Sequence, residues 1–412
     1  MTLQRSSRIL VLTLAVAVLL NGCASKGLLT DRYDADEIAV PRLLPEDLHN
    51  HNPRFIVIGD EQKGRSVIED FYRKENWATW WQLAVPFYQI YLLYNGISGG
   101  INYLRHVPDA GDETRTMMRD VLYRDVKELG ATFVLETGDI AAADGRYPDH
   151  WEVFLEGKKW SHPFLSEIPY VPTIGNHEWA NDTTYAWPNY QAVFDYPRFY
   201  ALEFKSAVLI VLDSNFLVDQ WELIPDDEQE TLYKEWFVSG EGSSWLEQTL
   251  AKYADKPFKI VSMHHPPITY GWHWVDWYKD HFGRNLTDKR RDLLQLFADN
   301  GVQAVFSGHE HVYQHNPTHL LSGGDTHTIH FYTSSGGGVP IRSAPPVEQV
   351  EELRYKYRQE GLGAHQPTIL SEYHYCLVSV EGDRLIIDTM VVDSEDSEHE
   401  SSLFERTVID AP

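Results

Sequence analysis

The chain has 412 residues, 43% of them hydrophobic, which is ample for a sizeable buried core. Its 61 acidic against 35 basic side chains leave a formal charge of −26, and this excludes nucleic acid as a general partner, because a phosphate backbone needs a basic footprint. With only two cysteines, Cys23 and Cys376, an internal disulfide framework is not expected once the first is used by the leader described next.

Arg5 and Arg8 precede the apolar run from Ile9 to Leu20, which fits a secretory leader and is too short for a membrane span. Leu20-Asn21-Gly22-Cys23 then resembles a bacterial lipobox. Residues 1–22 therefore read as a lipoprotein signal peptide and 23–52 as a lipidated Cys23 followed by a tether. The expected product is exported and anchored to the outer membrane, facing the periplasm or the outside. A single domain is expected over 53–393, and an acidic, serine-rich stretch predicts a solvated tail over 394–412.

Along the domain, short apolar runs repeatedly end in a turn that carries ligand-type side chains. Phe55-Ile56-Val57-Ile58 leads into Gly59-Asp60-Glu61-Gln62, and Thr132-Phe133-Val134-Leu135 leads toward Gly138-Asp139. Val171-Pro172-Thr173-Ile174 leads into Gly175-Asn176-His177-Glu178. Lys259-Ile260-Val261-Ser262-Met263 ends in His264-His265-Pro266-Pro267, and the run through Val305-Phe306 ends in Gly308-His309-Glu310-His311. Runs of this kind predict strands whose ends form a ligand crevice, as in layered α/β folds.

Between the first two motifs lies an insert over about 71–115. Its segment from Asn76 to Leu104 has no charged residue and is crowded with Trp and Tyr. Three readings stand: a buried helical hairpin, an element dipping into the membrane interface, or a span, the last weakened by Pro86, Gly96, Gly99 and Gly100. Helices are predicted over Arg119–Leu129, after the capping Ser244, and over Asp288–Asn300. Ala207 to Leu212 is apolar throughout and predicts a central strand. Tyr270 to Tyr278, with three tryptophans, should lie near the mouth of the crevice. Cys376 sits in a strand pattern and reads as a buried, inert thiol.

The order D-x-Q, GD, GNHE, HHPP, GHEH resembles the calcineurin-like metallophosphoesterase superfamily, which includes the purple acid phosphatases, over about Arg54 to Asp393. That resemblance implies an α/β fold, a four-layer α/β/β/α sandwich, and two divalent metal ions drawn from Mn, Fe or Zn, with Mg also possible. It assigns Asp60, Gln62 and His311 to the first ion, Asn176, His264 and His309 to the second, and Asp139 to a bridge between them. A hydroxide shared by the ions would attack phosphorus. His177 would protonate the leaving oxygen and, with Asn176, touch substrate. His265 either contacts substrate or orients His264 from behind.

Gln62 departs from the histidine usual at its position, so it either ligates through its carbonyl oxygen or stays unliganded. Ala142 stands where purple acid phosphatases carry a tyrosine, so their colour and ferric site are not expected. The implied function is hydrolysis of a phosphorylated small molecule, first a phosphomonoester. A phosphodiesterase or diphosphatase acting on nucleotide or lipid-linked substrates is the rival, and a phospho-ligand-binding lipoprotein without turnover is a third reading. The membrane would be a partner through Cys23, and through the insert on the reading in which it dips into the interface.

Overall fold

The computed structural model describes residues 26–43, 48–62, 112–142, 144–159, 164–218, 226–278 and 286–412. Cys23, most of the insert and the aromatic segment from Asn76 to Leu104 lie outside those residues. Among the described residues no helix is long and apolar enough to cross a membrane.

Two sheets carry the fold. In the first, β1 (Arg54–Ile58), β2 (Val134–Glu136) and β3 (Tyr170–Pro172) run parallel. On the other side of β1 come β12 (His374–Glu381), β13 (Arg384–Val392) and β14 (Ser401–Asp410), all antiparallel. In the second, β5 (Ala207–Leu212), β6 (Phe258–Met263), β7 (Ala304–Ser307) and β9 (Asp325–Ser334) run parallel. That sheet is edged by β4 (Tyr200–Glu203) on one side. On the other, β8 (Tyr313–Ser322) pairs with β9 and with the short β10 (Gly363–Ala364) and β11 (Thr368–Leu370).

The apolar runs explain the layers. Every residue of β5 is buried, and its two faces serve different cores. Leu209 and Val211 pack with Phe55, Val57, Leu135 and Leu377 of the first sheet, while Val208, Ile210 and Leu212 join the core on the far side. A strand with no polar face must be covered on both. Helices α1 (Asp112–Glu128), α2 (Pro148–Lys159) and α3 (Ala186–Phe194) supply residues to the first core, among them Met118, Leu122, Trp151 and Tyr190. The second core is closed by α4 (Asp226–Trp236), α5 (Trp245–Lys252), α6 (Leu286–Asp299) and α7 (Val347–Gln359), through Tyr233, Leu250, Leu293 and Leu353. The result is the expected α/β/β/α sandwich.

The predicted helix ends hold locally. Ser244 caps α5, its side chain accepting from Glu247 N at 3.1 Å while the Glu247 carboxylate accepts from Ser244 N at 2.9 Å. Helix α1 starts earlier than the pattern beginning at Arg119 suggested, because its first turns bury Met117 and Met118 beside the polar Arg115. Cys376 lies fully buried in β12, and burial pushes its thiol up to about 12, as suits an inert residue.

Two boundary expectations need correction. The described part of the 23–52 stretch is a strap, not a free tether: Leu29, Ile38, Val40 and Leu48 enter the first core. Its backbone is tied down by Leu29 N donating to Asn189 Oδ1 (2.8 Å) and Tyr170 N donating to Pro41 O (3.0 Å). These anchors are too widely spaced to leave a helical or strand period. The expected tail over 394–412 is largely β14, paired with β13 along its length and pinned by an Arg406–Asp388 ion pair at 2.6 Å. Acidic composition hid an edge strand, which tolerates charge because much of it faces water.

Candidate metal centre

The ligand-bearing turns meet where the parallel strands of both sheets end. Backbone geometry there is unusual. Asp60 (φ 61°), Asp139 (φ 61°), His309 (φ 77°) and His311 (φ 54°) all adopt the left-handed region, which non-glycine residues rarely visit. Such conformations cost on the order of 1 kcal/mol or more each and persist where the surroundings fix them. Here they are fixed by main-chain bonds between motifs: Asp60 N to Gly138 O (3.0 Å), Gln62 N to Asp139 O (3.0 Å) and Gly308 N to His264 O (3.0 Å). The Asp60 carboxylate accepts from His309 N at 3.0 Å, which ties the first motif to the last. Gly138, at φ 101°, has no room for a side chain; a Cβ there would lie 2.7 Å from both Gly175 N and His264 Nδ1.

Tautomers follow from the partners. His264 Nδ1 lies 2.8 Å from Thr137 O, which can only accept, so Nδ1 carries a proton and Nε2 is the nitrogen turned into the centre. Nε2 faces Asn176 Oδ1 at 3.0 Å and Asp139 Oδ1 at 3.3 Å. His309 repeats the arrangement in reverse: Nε2 meets Asp276 Oδ2 at 3.1 Å, leaving Nδ1 to face Asn176 Oδ1 at 3.1 Å. Two ring nitrogens, an amide oxygen and a carboxylate oxygen therefore converge on one place. A divalent cation is the species such a donor set fits. Asp60, Asp139 and His264 likewise bring ligand atoms within 4.8 Å of one another.

The first half of the centre is less regular. His311 Nε2 is 3.5 Å from Asp60 Oδ1. Gln62 reaches the same place, but through its nitrogen: Nε2 lies 3.1 Å from Asp139 Oδ2 and 3.1 Å from His311 Nε2. Ligation by Gln62 requires its amide to turn half a revolution, exchanging oxygen for nitrogen. His177 stands at the rim, 6% exposed. Its backbone N donates to Asp139 Oδ1 at 2.8 Å and its Nε2 is 3.8 Å from Asp139 Oδ2. His265 is packed behind His264 and His309, with Nδ1 2.8 Å from Ser214 Oγ, so it backs those two imidazoles.

Electrostatics agree with the geometry. Burial pushes the Asp60 carboxyl up to about 7. Asp139 is held well below the carboxylate range, the imidazoles of His177 and His264 outweighing its burial. Burial also opposes charge on His264, yet Asp139 and Asp60 lift it to about 9. Burial pushes His309 and His311 well below the usual histidine value and His265 down to about 3. Positive charge is thus favoured at one point, between Asp139 and His264.

Three contributors were not singled out from sequence. Glu178, fully buried, accepts from four backbone amides, those of Asp139 (3.0 Å), Ile140 (2.7 Å), Ala141 (2.8 Å) and Gly175 (2.6 Å), and so joins the second motif to the third. Asp276 orients His309, as carboxylates commonly do for metal-bound histidines. Arg342 follows the Ser334–Pro340 glycine loop, which packs under the centre through Gly337 N to Gly59 O (2.8 Å) and Val339 N to Asp60 O (3.1 Å). The GNHE spacing could have flagged Glu178; nothing in the spacing flags the other two. The aromatic stretch divides as its burial dictates: Trp277 is core at 1% exposure, and Trp272 is 47% exposed.

With this arrangement in hand, the sequence comparison is decisive at the level of class. The chain belongs to the calcineurin-like phosphoesterase family, whose model matches residues 53–313. No curated protein matches it in sequence. Among solved structures it is similar to a purple acid phosphatase, PPD1, from yellow lupin (Lupinus luteus) seeds, at 12% identity and a TM-score of 0.52. That likeness covers 88% of this chain and 54% of the lupin protein, so the chain spans about half the relative's length. It is also similar to PhoD, at 10% identity and a TM-score of 0.50, covering 88% of this chain and 70% of that one. At these identities the two structures speak for the fold alone.

Proposed function

We propose that the protein hydrolyses phosphoric esters or anhydrides at a two-metal centre held by Asp60, Asp139, Asn176, His264, His309 and His311, with Gln62 completing the first site through its oxygen. The observation that carries this reading is the convergence of ligand-type oxygen and nitrogen atoms from Asp139, Asn176, His264 and His309. The ions, when bound, supply Lewis acidity that neutralises charge on phosphoryl oxygens and lowers the pKa of water.

The chain's own residues do the rest. Asn176 and His264 present one wall of donor atoms, fixed by Thr137 O behind His264. Asp139 spans both halves, since one oxygen faces His264 (3.3 Å) and the other faces Gln62 (3.1 Å). His177 holds a proton at Nε2 and delivers it to the departing oxygen, general-acid work suited to an imidazole at the rim. We also infer export and a lipid anchor at Cys23, from the leader and lipobox pattern.

The test is the dependence on leaving group. His177→Ala should lower kcat by roughly 100-fold or more for an alkyl phosphate, whose leaving alkoxide needs the proton. The loss should be much smaller for p-nitrophenyl phosphate, whose leaving phenolate does not. Equal losses on both would remove His177 from the general-acid role. Activity that survives Asp139→Asn as well would remove the metal-centre assignment.

A further inference from the structure

Beside the metal centre lies an open cavity of about 590 Å³ lined by Trp272, His273, Arg342 and Ser343. The first pair comes from the loop after β6 and the second from the loop after β9, so two separate segments build it. Arg342 is fixed at both ends. Its backbone N donates to His311 O at 2.8 Å, and its Nη1 donates to His273 Nε2 at 2.7 Å. His273 in turn has Nδ1 3.3 Å from Asp276 Oδ2, and its ring centre lies 4.1 Å from that of His309. The guanidinium therefore stands one imidazole away from one expected ligand and is attached by its backbone to another.

The charge on Arg342 has no carboxylate counterpart among the described residues. Several arginines here are paired with carboxylates, as in Arg119–Glu61 (2.9 Å) and Arg198–Asp213 (2.8 Å). Among the described residues no carboxylate pairs with Arg342, although the chain holds 61 acids. A guanidinium carries five N–H donors in a fork that matches two phosphate oxygens, and among the described residues one of them is engaged, by His273. Trp272 adds an exposed indole face to the same cavity.

We propose that this cavity is a subsite for a second phosphoryl group of the substrate, so that phosphoanhydrides are preferred over simple monoesters, with Arg342 the specificity-determining residue and Trp272 the wall for the group beyond it. The inference rests on the metal-centre reading. In the step it implies, a water oxygen bonds to the phosphorus at the metal centre and the anhydride P–O bond breaks with its electron pair. The departing phosphate oxygen takes the His177 proton. One water proton stays on the new phosphate and the other restores His177.

A matched pair of substrates tests this: adenosine 5′-diphosphate, whose leaving group retains a phosphoryl group, and adenosine 5′-monophosphate, whose leaving group has none. Wild type should favour the diphosphate in kcat/KM. Arg342→Ala should cut the diphosphate value by about 10- to 100-fold, the span of one or two charge-assisted hydrogen bonds, and should cut the monophosphate value less. Arg342→Lys should recover part of the preference. Calorimetry on metal-loaded protein supplies a second readout without turnover: Arg342→Ala should weaken methylenediphosphonate more than methylphosphonate. An unchanged preference in Arg342→Ala, or equal weakening of both phosphonates, would overturn the subsite. Turnover of neither nucleotide by wild type would instead count against the hydrolase reading, and the phosphonate comparison would still decide the subsite.

Discussion

Glu178→Gln is the substitution whose effect the structure prices most directly. One carboxylate oxygen accepts from Ile140 N (2.7 Å) and Ala141 N (2.8 Å), and the other from Asp139 N (3.0 Å) and Gly175 N (2.6 Å). A glutamine keeps one accepting oxygen and turns an NH₂ group toward two amides that can only donate. Burial lifts the Glu178 carboxyl to about 7, so above that pH, where it is ionised, two charge-assisted hydrogen bonds are lost in a fully buried place, at roughly 1.5–3 kcal/mol each, for a total of about 3–6 kcal/mol. Because the amides belong to the turns that carry Asp139 and Asn176, metal affinity should fall along with stability. Urea denaturation of the metal-free protein measures the first effect and metal titration the second. A loss under about 1 kcal/mol with unchanged metal affinity would refute the role given to Glu178.

Other consequences are as definite. Asp276→Asn keeps the size of the side chain but offers His309 a weaker acceptor, or a donor, so affinity at the metal site served by His309 should drop about 10- to 100-fold. Metal titration reads this, and an unchanged affinity would deny Asp276 its orienting part. At α5, hydrogen bonds from Ser239 and Ser244 outweigh burial and hold the Glu247 carboxyl down at about 2, against 4.5 for the free group. A depressed folded pKa stabilises above the unfolded value and loses that contribution as pH falls from about 4.5 toward 2. The stability gap between wild type and Glu247→Gln should therefore narrow through that window, and a gap that stays constant would contradict the cap.

Much of the centre was legible because the chain writes it in one repeated form, an apolar strand followed by a ligand. Asp60, Asp139, Asn176, His264, His309 and His311 each follow such a run, and the fold needs only to bring the strand ends together. Residues that act from behind the ligands escape this form. Asp276 lies in a loop and Arg342 beyond a glycine turn, and only the tertiary packing of both against His309 and His311 gives them meaning. Gln62 shows the opposite limit, since sequence marks its position while the structure turns its nitrogen inward. The strap and β14 were missed for reasons of composition: isolated apolar anchors in one case and surface charge in the other.

The most direct test of the central claim is metal content measured together with turnover. The purified protein would be chelated, then titrated with Mn, Fe, Zn or Mg while bound metal and phosphate release are followed. Two ions per chain at saturation, and turnover abolished by chelation and restored by add-back, are the predicted result. Saturation at one ion or none, or turnover that persists through chelation, would contradict the two-metal centre.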